Sequence, residues 1–444
     1  MPTSIDELIG RLEAAKGDLY TQSALTADFL VSLRPEVERE PLKATIDVCS
    51  VLRWFHADLL ATMLNTSPAQ ALQRIEILKS MLLAEPYSSR EEQLLNLGES
   101  TRQGWRQKLV AGDPERFRKL AAHAAAVFNR DLSYPGRTEW VYHLLCSDPD
   151  GGATELEKLA REWQGRAHPE HLHTLAKALR ELDTAQLVQG RARVWVLLFV
   201  GWADLDRGIL PQQEILDSIL RLARTTKDLP AEGDAECMRG DTCVIRGRLS
   251  EAQGAFDEYL KISRRLAEQD PTNAGWQRDL AVAHSRVGDV LQTQGKLESA
   301  QGAFGEYLKI GRRLAEQDPT NAGWQRELAV AHSRVGGVLQ AQGKLESAQG
   351  AFGESLKISR RLSEQDPTNT GWQRDLAVAH SRVGSVLEAQ GKLEAARLEY
   401  MEDLRISEYL AELDPSNALW QQDLAVSQRN AQRLLLRPSS GSDT

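Results

Sequence analysis

A 48-residue period in the second half of the chain constrains its fold more than any other feature. Four tryptophans, four glycines and four Asp-Pro pairs keep this spacing: Trp276, Trp324, Trp372 and Trp420; Gly247, Gly295, Gly343 and Gly391; Asp270–Pro271, Asp318–Pro319, Asp366–Pro367 and Asp414–Pro415. A fixed period of about 20–50 residues is typical of solenoids, in which each unit buries its apolar face only against its neighbours. Because such surfaces usually bind partners, the period favours a binding function over catalysis.

The repeat consists of four blocks that begin at Gly247, Gly295, Gly343 and Gly391. The second block differs from the first at 8 positions and the third from the second at 7, whereas the fourth is much more diverged. A terminal repeat departs from the consensus because its outer face meets water. We therefore expect the fourth block, with a helix from about Leu419 to Leu436, to close the array.

Each block is expected to fold into two helices, named helix B and helix A in chain order. Helix B carries an apolar stripe at helical spacing and ends before the next Asp-Pro pair, because the residue before a proline avoids the α conformation. Its stripe in the second block is Leu297, Ala300, Phe304, Leu308 and Leu314. Helix A of that block runs from about Trp324 to Gln342, and its stripe in the block before is Leu280, His284, Val287 and Leu291.

Gly288 lies inside helix A, where a glycine costs about 1 kcal/mol relative to alanine. A glycine kept there predicts that a neighbouring helix approaches closely. With this glycine, the blocks resemble the tetratricopeptide repeat, since Val287-Gly288, Leu291, Gly295, Ala300 and Phe304 occupy the places of its Leu-Gly, Tyr, Gly, Ala and Phe. The usual period of that family is about 34 residues, so both helices are longer here. The resemblance covers residues 247–438.

This resemblance implies a superhelical solenoid whose concave groove, lined by helix A, holds a peptide or a helix of a partner protein. The groove positions transferred from the family are Ser285, Asp289, Gln292, Thr293, Ser333, Gly337, Gln340, Ala341, Ser381, Ser385, Glu388 and Ala389. Asp289, Gly337 and Ser385 differ between nearly identical blocks. Two interpretations of this variation stay open, which are tuning of ligand specificity and drift at exposed positions.

The repeated aromatic side chains allow two interpretations as well. The four tryptophans could form a ladder that stacks bases or sugars, but an aromatic at a helix start more often packs against the preceding turn. His284, His332 and His380 lie one repeat apart, on the order of 10 Å by helix packing distances, which is too far to share a metal ion. We expect packing tryptophans and hydrogen-bonded core histidines.

The N-terminal half shows helices without a clean period, and one stretch is more specific. Residues 41–53 predict a helix that opens on Pro41, and Phe55 to Asn65 a second. Ser67 and Pro68 are typical of the start of a third. Two short extended segments, Ala84 to Tyr87 and Gln93 to Leu97, follow around a polar turn, and then comes a helix from Ser100. Three helices and a hairpin are the pattern of a winged helix.

A winged helix often reads DNA with its third helix. That helix offers only Arg74 and Lys79 against Glu76, and the wing, SSREEQ, is acidic. The net charge of the whole chain is −9, and neither half is basic, since residues 1–246 carry 30 basic and 36 acidic side chains and residues 247–444 carry 24 and 27. This balance disfavours nucleic acid. A structural winged helix that acts as a lever between domains is the alternative.

Residues of about 35–210 resemble the region that follows the nucleotide-binding module in STAND signalling NTPases. The runs VCSVLRWFHADLLATML, LLAEPYSSREEQLLNLGESTRQGW, DPERFRKLAAHAAAVF and TEWVYHLLCSDPDGG carry the resemblance. It implies a winged helix and a helical arm that leads to a repeat sensor. The chain contains no GxxxxGK[ST] loop, and Gly288 to Lys296 has the wrong spacing for one. We therefore expect a sensor half without ATPase activity.

Other motifs give weaker signals. His168, His171 and His173 form HPEHLH, which could hold a metal ion, but a solvated helix start is the simpler interpretation. The four cysteines Cys49, Cys146, Cys237 and Cys243 form no CxxC pair, so reduced thiols in the cytosol are expected. The N-terminus lacks the apolar core of a signal peptide, and the longest apolar run, Val194 to Trp202, is too short to span a bilayer.

Together these features predict an all-α chain: a winged-helix-like domain at 1–110, a helical arm at 111–246, four tetratricopeptide-like repeats at 247–438 with a C-terminal cap helix, and a disordered tail at 439–444. We expect a non-enzymatic, cytoplasmic scaffold or sensor without a cofactor. It would bind a protein or peptide in the groove and relay this to a signalling or defence partner, such as a separately encoded NTPase or effector. The alternative is a winged-helix transcription regulator with a repeat sensor, and a third hypothesis is an enzyme with a non-local site.

Overall fold

The computed structural model describes residues 4–87, 94–163 and 169–435. The chain divides into two compact units, Met1–Ala231 and Glu232–Thr444. The domain boundaries expected from the sequence stay predictions.

The first unit is helical, with one small hairpin. Its helices are α1 Ile5–Ala14, α2 Leu19–Ser32, α3 Glu36–Val51, α4 Ala57–Leu64, α5 Pro68–Ser80, α6 Glu99–Gly112, α7 Pro114–Phe128, α8 Tyr134–Ser147, α9 Pro149–Trp163, α10 Pro169–Thr184, α11 Gly190–Asp206 and α12 Gln213–Thr226. Strands β1 Ala84–Pro86 and β2 Leu95–Leu97 pair antiparallel. Phe55 forms an additional bridge with Leu95.

Helices α3, α4 and α5 precede the hairpin in the order that the sequence predicts, and α5 begins as expected. The Ser67 hydroxyl accepts a hydrogen bond from the backbone N–H of Gln70, and the Gln70 side chain accepts one from the backbone N–H of Ser67. The expected start of α3 at Pro41 is wrong, because the helix begins at Glu36 and Pro41 lies inside it. The acidic wing, residues 88–93, falls outside the described residues. The assignment as a winged helix stays a prediction.

The apolar core of this region joins α3–α5 and the hairpin to the helices that follow. Phe55, Leu60 and Leu97 are fully buried in it, and Trp105 and Phe128 pack on the same cluster. Burial of such side chains stabilises a fold by about 1.5–3 kcal/mol each. The hairpin is therefore held by the apolar cluster and not only by its three paired positions.

A network of buried charges links α6, α8 and α10 with the loop after α3. The Arg53 guanidinium lies 2.8 Å from Glu139, and Arg106 lies 2.6 Å from Glu181, whose carboxylate also accepts a hydrogen bond from the Tyr142 hydroxyl at 2.6 Å. Burial opposes ionisation of Glu181, but the guanidinium groups of Arg106 and its neighbours hold its pKa below the ordinary value. Loss of one partner would leave a buried charge without compensation, so this network fixes how these helices pack.

The second unit is a succession of antiparallel helix pairs. Its helices are α13 Leu229–Ile245, α14 Leu249–Gln269, α15 Ala274–Thr293, α16 Leu297–Gln317, α17 Ala322–Ala341, α18 Leu345–Gln365, α19 Thr370–Ala389, α20 Leu393–Leu413 and α21 Ala418–Leu435. Helices α14, α16, α18 and α20 are the four B helices, and α15, α17, α19 and α21 the four A helices. The expected two helices per block are confirmed, and every B helix ends immediately before its Asp-Pro pair.

The buried glycine of each A helix packs against helix B of the following block, so that these two helices form one tetratricopeptide-like pair. A Cβ added at Gly288 would lie 2.5 Å from the Phe304 ring, and one at Gly336 would lie 2.7 Å from the Phe352 ring. Both rings are fully buried. Close approach at this glycine, expected from the sequence, is therefore confirmed, and it is the packing that defines a tetratricopeptide-like pair.

Helix α13 shares this packing, which the sequence period does not reveal. A Cβ added at Gly240 would lie 2.3 Å from the Phe256 ring of α14. Gly240 stands 48 residues before Gly288, so α13 occupies the place of an A helix ahead of the first block.

Candidate functional site

The A helices begin in the same way in each repeat, and this fixes the direction of their side chains. Asn321 precedes α17, and its side chain accepts a hydrogen bond from the Trp324 backbone N–H at 3.2 Å. Asp318 accepts hydrogen bonds from the Thr320 backbone N–H at 3.0 Å and hydroxyl at 2.6 Å. Asn273 and Asn369 cap α15 and α19 identically. Equivalent residues of successive A helices therefore occupy equivalent places along the array.

The twelve groove positions expected from the sequence lie in the C-terminal halves of α15, α17 and α19. In each helix three of the four are half-buried, and the fourth, Thr293, Ala341 or Ala389, is exposed. Their pattern repeats from block to block, so they form one continuous strip, which we call the helix-A face. Its binding of a partner stays a prediction.

One pair of these residues is joined across neighbouring repeats, and Glu388 is bonded to side chains outside the set. The Gln340 side-chain amide donates to the Ser385 hydroxyl at 3.0 Å. The Glu388 carboxylate accepts hydrogen bonds from the Tyr400 hydroxyl at 3.2 Å and from Arg433 at 2.5 Å. The helix-A face is thus joined by a side-chain hydrogen bond between α17 and α19.

Sequence reasoning missed a series of arginines on this face. The Arg286 guanidinium lies 3.1 Å from the Asp241 carboxylate, and Arg334 lies 3.0 Å from Asp289. In both pairs the arginine follows its partner by 45 residues, so the two bridges are equivalent rungs, one repeat apart, and we call this series the inner ladder. A signal was present in the sequence, because Arg286, Arg334 and Arg382 share one position of the repeat.

The inner ladder is interrupted at the next step. The carboxylate that would face Arg382 is missing, because Gly337 occupies the position of Asp289 and Asp241. Within residues 4–87, 94–163 and 169–435, the exposed side chain of Arg382 makes no ion pair or hydrogen bond. Nothing lies within 4 Å of the point where a Cβ of Gly337 would stand.

A second series of bridges, the outer ladder, continues through the same helices. Arg278 lies 3.6 Å from Glu327, Arg326 donates to Asp375 at 3.1 Å, and the Arg374 Nε lies 2.5 Å from Asp423. These partners are 49 residues apart in each case. The outer ladder therefore holds successive A helices together at the point where the inner ladder is broken.

The carboxylates of the inner ladder are partly desolvated. Burial raises the pKa of Asp289 above its ordinary value, although Arg334 and Arg286 oppose this. Burial raises the pKa of Asp241 in the same way, against Arg286. A guanidinium at this position therefore compensates a carboxylate that water solvates incompletely.

Arg382 also borders a cavity of about 430 Å³ between α19, α20 and α21. Ser381, Ser385 and Arg433 line it, and Asp403 lies at its buried side. Tyrosines occupy the position of Asp403 in the first two blocks, at Tyr259 and Tyr307. Ser355 occupies it in the third block, so the side chain at this position is smaller in the last two blocks than in the first two.

The Asp403 carboxylate is nevertheless satisfied. It accepts hydrogen bonds from Ser427 at 2.9 Å and from Ser407 at 3.3 Å. Burial raises its pKa, and the hydroxyl groups act in the opposite direction. Asp403 is therefore held by hydroxyl groups at the buried side of the cavity, whereas Arg382, at its edge, has no partner among the described residues.

The tryptophans and histidines of the repeat pack in the array. Trp324, Trp372 and Trp420 are half-buried against the apolar clusters of their repeats, which agrees with the packing interpretation. His332 and His380 are buried, and the His380 Nδ1 lies 2.7 Å from a Glu399 oxygen. Burial lowers the pKa of His332.

The histidines of HPEHLH do not gather around one point in the part that is described. His168 lies outside the described residues. His171 stacks on the Tyr134 ring with 4.0 Å between the centroids, and His173 lies 3.8 Å from Asp206. No group of three or more His, Cys, Asp or Glu side chains that could hold a metal ion occurs among the described residues.

The basic side chains of α5 are engaged within the first unit. Lys79 lies 3.0 Å from Glu76, and Arg74 contacts the Thr45 hydroxyl at 3.5 Å. The four cysteines are buried and unpaired. Of the helices in the described ranges, none combines the length and apolar character that crossing a bilayer requires.

Comparisons with known proteins give structural likenesses but no family assignment. No protein-family model matches the chain, and no curated protein matches it. Among solved structures, a STAND ATPase with a tetratricopeptide repeat sensor from Pyrococcus horikoshii is 11% identical, with a TM-score of 0.40, over 93% of this chain and 65% of that one. BtubC (BKLC) from P. vanneervenii is 14% identical, with a TM-score of 0.35, over 56% of this chain and 96% of the other.

A third similar structure is pilF of Pseudomonas aeruginosa, which is 16% identical with a TM-score of 0.32. The match covers 57% of this chain and 96% of pilF. The description of the second unit as tetratricopeptide-like rests on its own repeated helices and on the contact between the glycine of each A helix and the aromatic ring of the next B helix.

Proposed function

We propose that the chain is a non-enzymatic scaffold that binds a protein or peptide on the helix-A face. The observation that carries this proposal is the continuous polar strip of α15, α17 and α19. Its residues lie in equivalent places, yet Asp289, Gly337 and Ser385 differ between blocks that are otherwise nearly identical. A surface of constant geometry and variable chemistry suits recognition of a ligand that extends across several repeats.

Two further parts of the proposal concern the compartment in which the protein acts and the partner that responds to binding. We infer that the protein acts in the cytosol, and that binding on the second unit is passed to a signalling partner such as an NTPase or another effector. The excess of acidic over basic residues, 63 against 54, and the engaged side chains of Lys79 and Arg74 support a protein partner over DNA.

Arginines introduced either on the helix-A face or on the B helices test the proposal. The double variant Ala341→Arg and Ala389→Arg puts two arginines on the helix-A face. The control, Ser299→Arg and Ser347→Arg, puts the same two charges at exposed positions of the B helices α16 and α18. The intact protein and both variants are used to capture partners from lysate, and each captured protein is then purified and its binding measured directly.

We expect a purified partner that loses at least about tenfold in affinity for the helix-A variant, because a desolvated interface tolerates an added charge poorly, and that binds the B-helix variant normally. Equal loss in both variants would contradict binding on the helix-A face. Capture of nucleic acid alone, retained after removal of residues 247–438, would contradict the scaffold and favour the first unit as the functional element.

A further inference from the structure

The interrupted inner ladder points to the chemistry of the ligand. Two of its three arginines hold an aspartate of the preceding repeat, at 3.1 Å for Arg286 and 3.0 Å for Arg334. The third, Arg382, keeps the same place in the repeat, but the residue 45 positions before it is Gly337 in place of an aspartate. The fold therefore presents a guanidinium in a setting that binds a carboxylate elsewhere in the same molecule, and supplies no carboxylate there.

The space around this arginine is open. A Cβ at Gly337 would have no neighbour within 4 Å, and Arg382 borders the cavity between α19, α20 and α21. The same cavity is lined by Asp403 and Asp423, which are engaged by serine hydroxyl groups and by Arg374, respectively. The outer ladder is intact at this junction, where Arg326 donates to Asp375 at 3.1 Å. The missing carboxylate is therefore not needed to join the two repeats.

We propose that Arg382 binds the side-chain carboxylate of an aspartate or glutamate in the partner peptide, which takes the place of the rung that Gly337 leaves empty. This inference rests on the proposed function and names the chemistry of its ligand. An acidic peptide gains little from the net charge of the protein, which is −9. Its binding would depend on this local arginine and not on general attraction.

A glutamate peptide tests the inference on the full chain. The probe is hexaglutamate with an acetylated N-terminus and an amidated C-terminus, so that only side-chain carboxylates are offered. Amidated hexaglutamine is the neutral control, and hexaglutamine with a free C-terminus tests the terminal carboxylate. Binding is followed by the chemical shifts of the arginine side-chain Nε–H groups and by fluorescence anisotropy of labelled peptide.

Variants at positions 337 and 382 distinguish binding at Arg382 from binding at other basic side chains. Gly337→Asp supplies the missing carboxylate and should reduce the affinity for hexaglutamate by about fivefold or more, as expected for loss of a partly exposed charge pair. Gly337→Asn has nearly the same size without the charge and should bind hexaglutamate like the original protein. Arg382→Gln should match Gly337→Asp, whereas Arg334→Gln, which removes an arginine that already has a partner, should change the affinity less than twofold.

Three outcomes would overturn the inference. They are equal binding of hexaglutamate and hexaglutamine, equal effects of Gly337→Asp and Gly337→Asn, and equal effects of Arg334→Gln and Arg382→Gln. Binding of inorganic polyphosphate with the same dependence on Arg382 would replace the acidic peptide by a general anion. If a captured partner depends on the helix-A face but not on Arg382, the proposed function stands and only this inference fails.

Discussion

Two adjacent glycines in α17 test the packing argument, because the same substitution should change the stability of α17 differently at each. Gly336 faces the aromatic ring of its helix pair, where an added Cβ would lie 2.7 Å from the Cδ1 and Cε1 atoms of Phe352. Gly337, the next residue, has no atom within 4 Å of the same point. Replacement of each by alanine makes an identical chemical change in one helix, one residue apart.

The magnitudes follow from two opposing effects. Both substitutions gain about 1 kcal/mol, because alanine favours the helix interior over glycine. Gly336→Ala must also displace the fully buried Phe352 ring, and overpacking of this kind costs about 1–3 kcal/mol. We expect Gly337→Ala to stabilise α17 by about 1 kcal/mol. Gly336→Ala should be about 1–3 kcal/mol less stable than Gly337→Ala, because the helix gain cancels in that comparison.

Hydrogen exchange of peptides from α17 and α18 is the appropriate assay, because a repeat array need not unfold in a single step. Exchange should be faster in Gly336→Ala than in Gly337→Ala, by about tenfold for each 1.4 kcal/mol. Phe352→Leu added to Gly336→Ala should recover part of the difference, because the smaller side chain gives room to the new methyl group. Equal exchange in the two alanine variants would refute close approach as the reason for Gly336.

Two further predictions concern the array and the first unit. Deletion of residues 295–342 should leave a folded, shorter array, because Gln294 then joins Gly343 in the same register. The helical circular dichroism signal per residue should be unchanged. Loss of that signal, or aggregation, would contradict the block boundaries. Burial lowers the pKa of the fully buried His143 from 6.5 to about 3. Between these two pH values the unfolded state therefore binds more protons at this residue than the folded state. The free energy of unfolding should fall as the pH drops below about 6.5, by up to about 1.4 kcal/mol per pH unit. His143→Phe should lose this dependence between pH 6.5 and 5 in urea unfolding followed by exchange of α8 peptides, and an unchanged slope would contradict it.

The sequence predicts the repeat region well, because its signals are local. Asp318-Pro319 ends α16, Gly288 marks the close approach to Phe304, and the same signals recur every 48 residues. The start of α3 was predicted wrongly at Pro41, because proline is normally confined to the first turn of a helix, whereas Pro41 is the sixth residue of α3. Helix α13 was not recognised as an A helix, because Gly240 and Asp241 are among the few residues that it shares with the later blocks.

The candidate site was predicted only in part. Periodicity assigns Asp289 and Gly337 to one position of the repeat, but it does not show that this position faces an arginine 45 residues further along the chain. The offset differs from 48 because the contact joins two different positions of adjacent blocks. Only the packing of α15 against α17 places Asp289 beside Arg334, so the interruption at Arg382 becomes visible in the structure alone.

Because each rung of the inner ladder joins two blocks, its chemistry belongs to a junction and not to a block. Removal of residues 295–342 would bring Asp289 into register with Arg382 and complete the ladder, while duplication of the same block would place a second Gly337 opposite a second arginine. Gain or loss of whole repeats by recombination could thus create or erase a recognition position without any point mutation. In an array of nearly identical blocks, the order of the blocks therefore determines which junctions carry a complete rung.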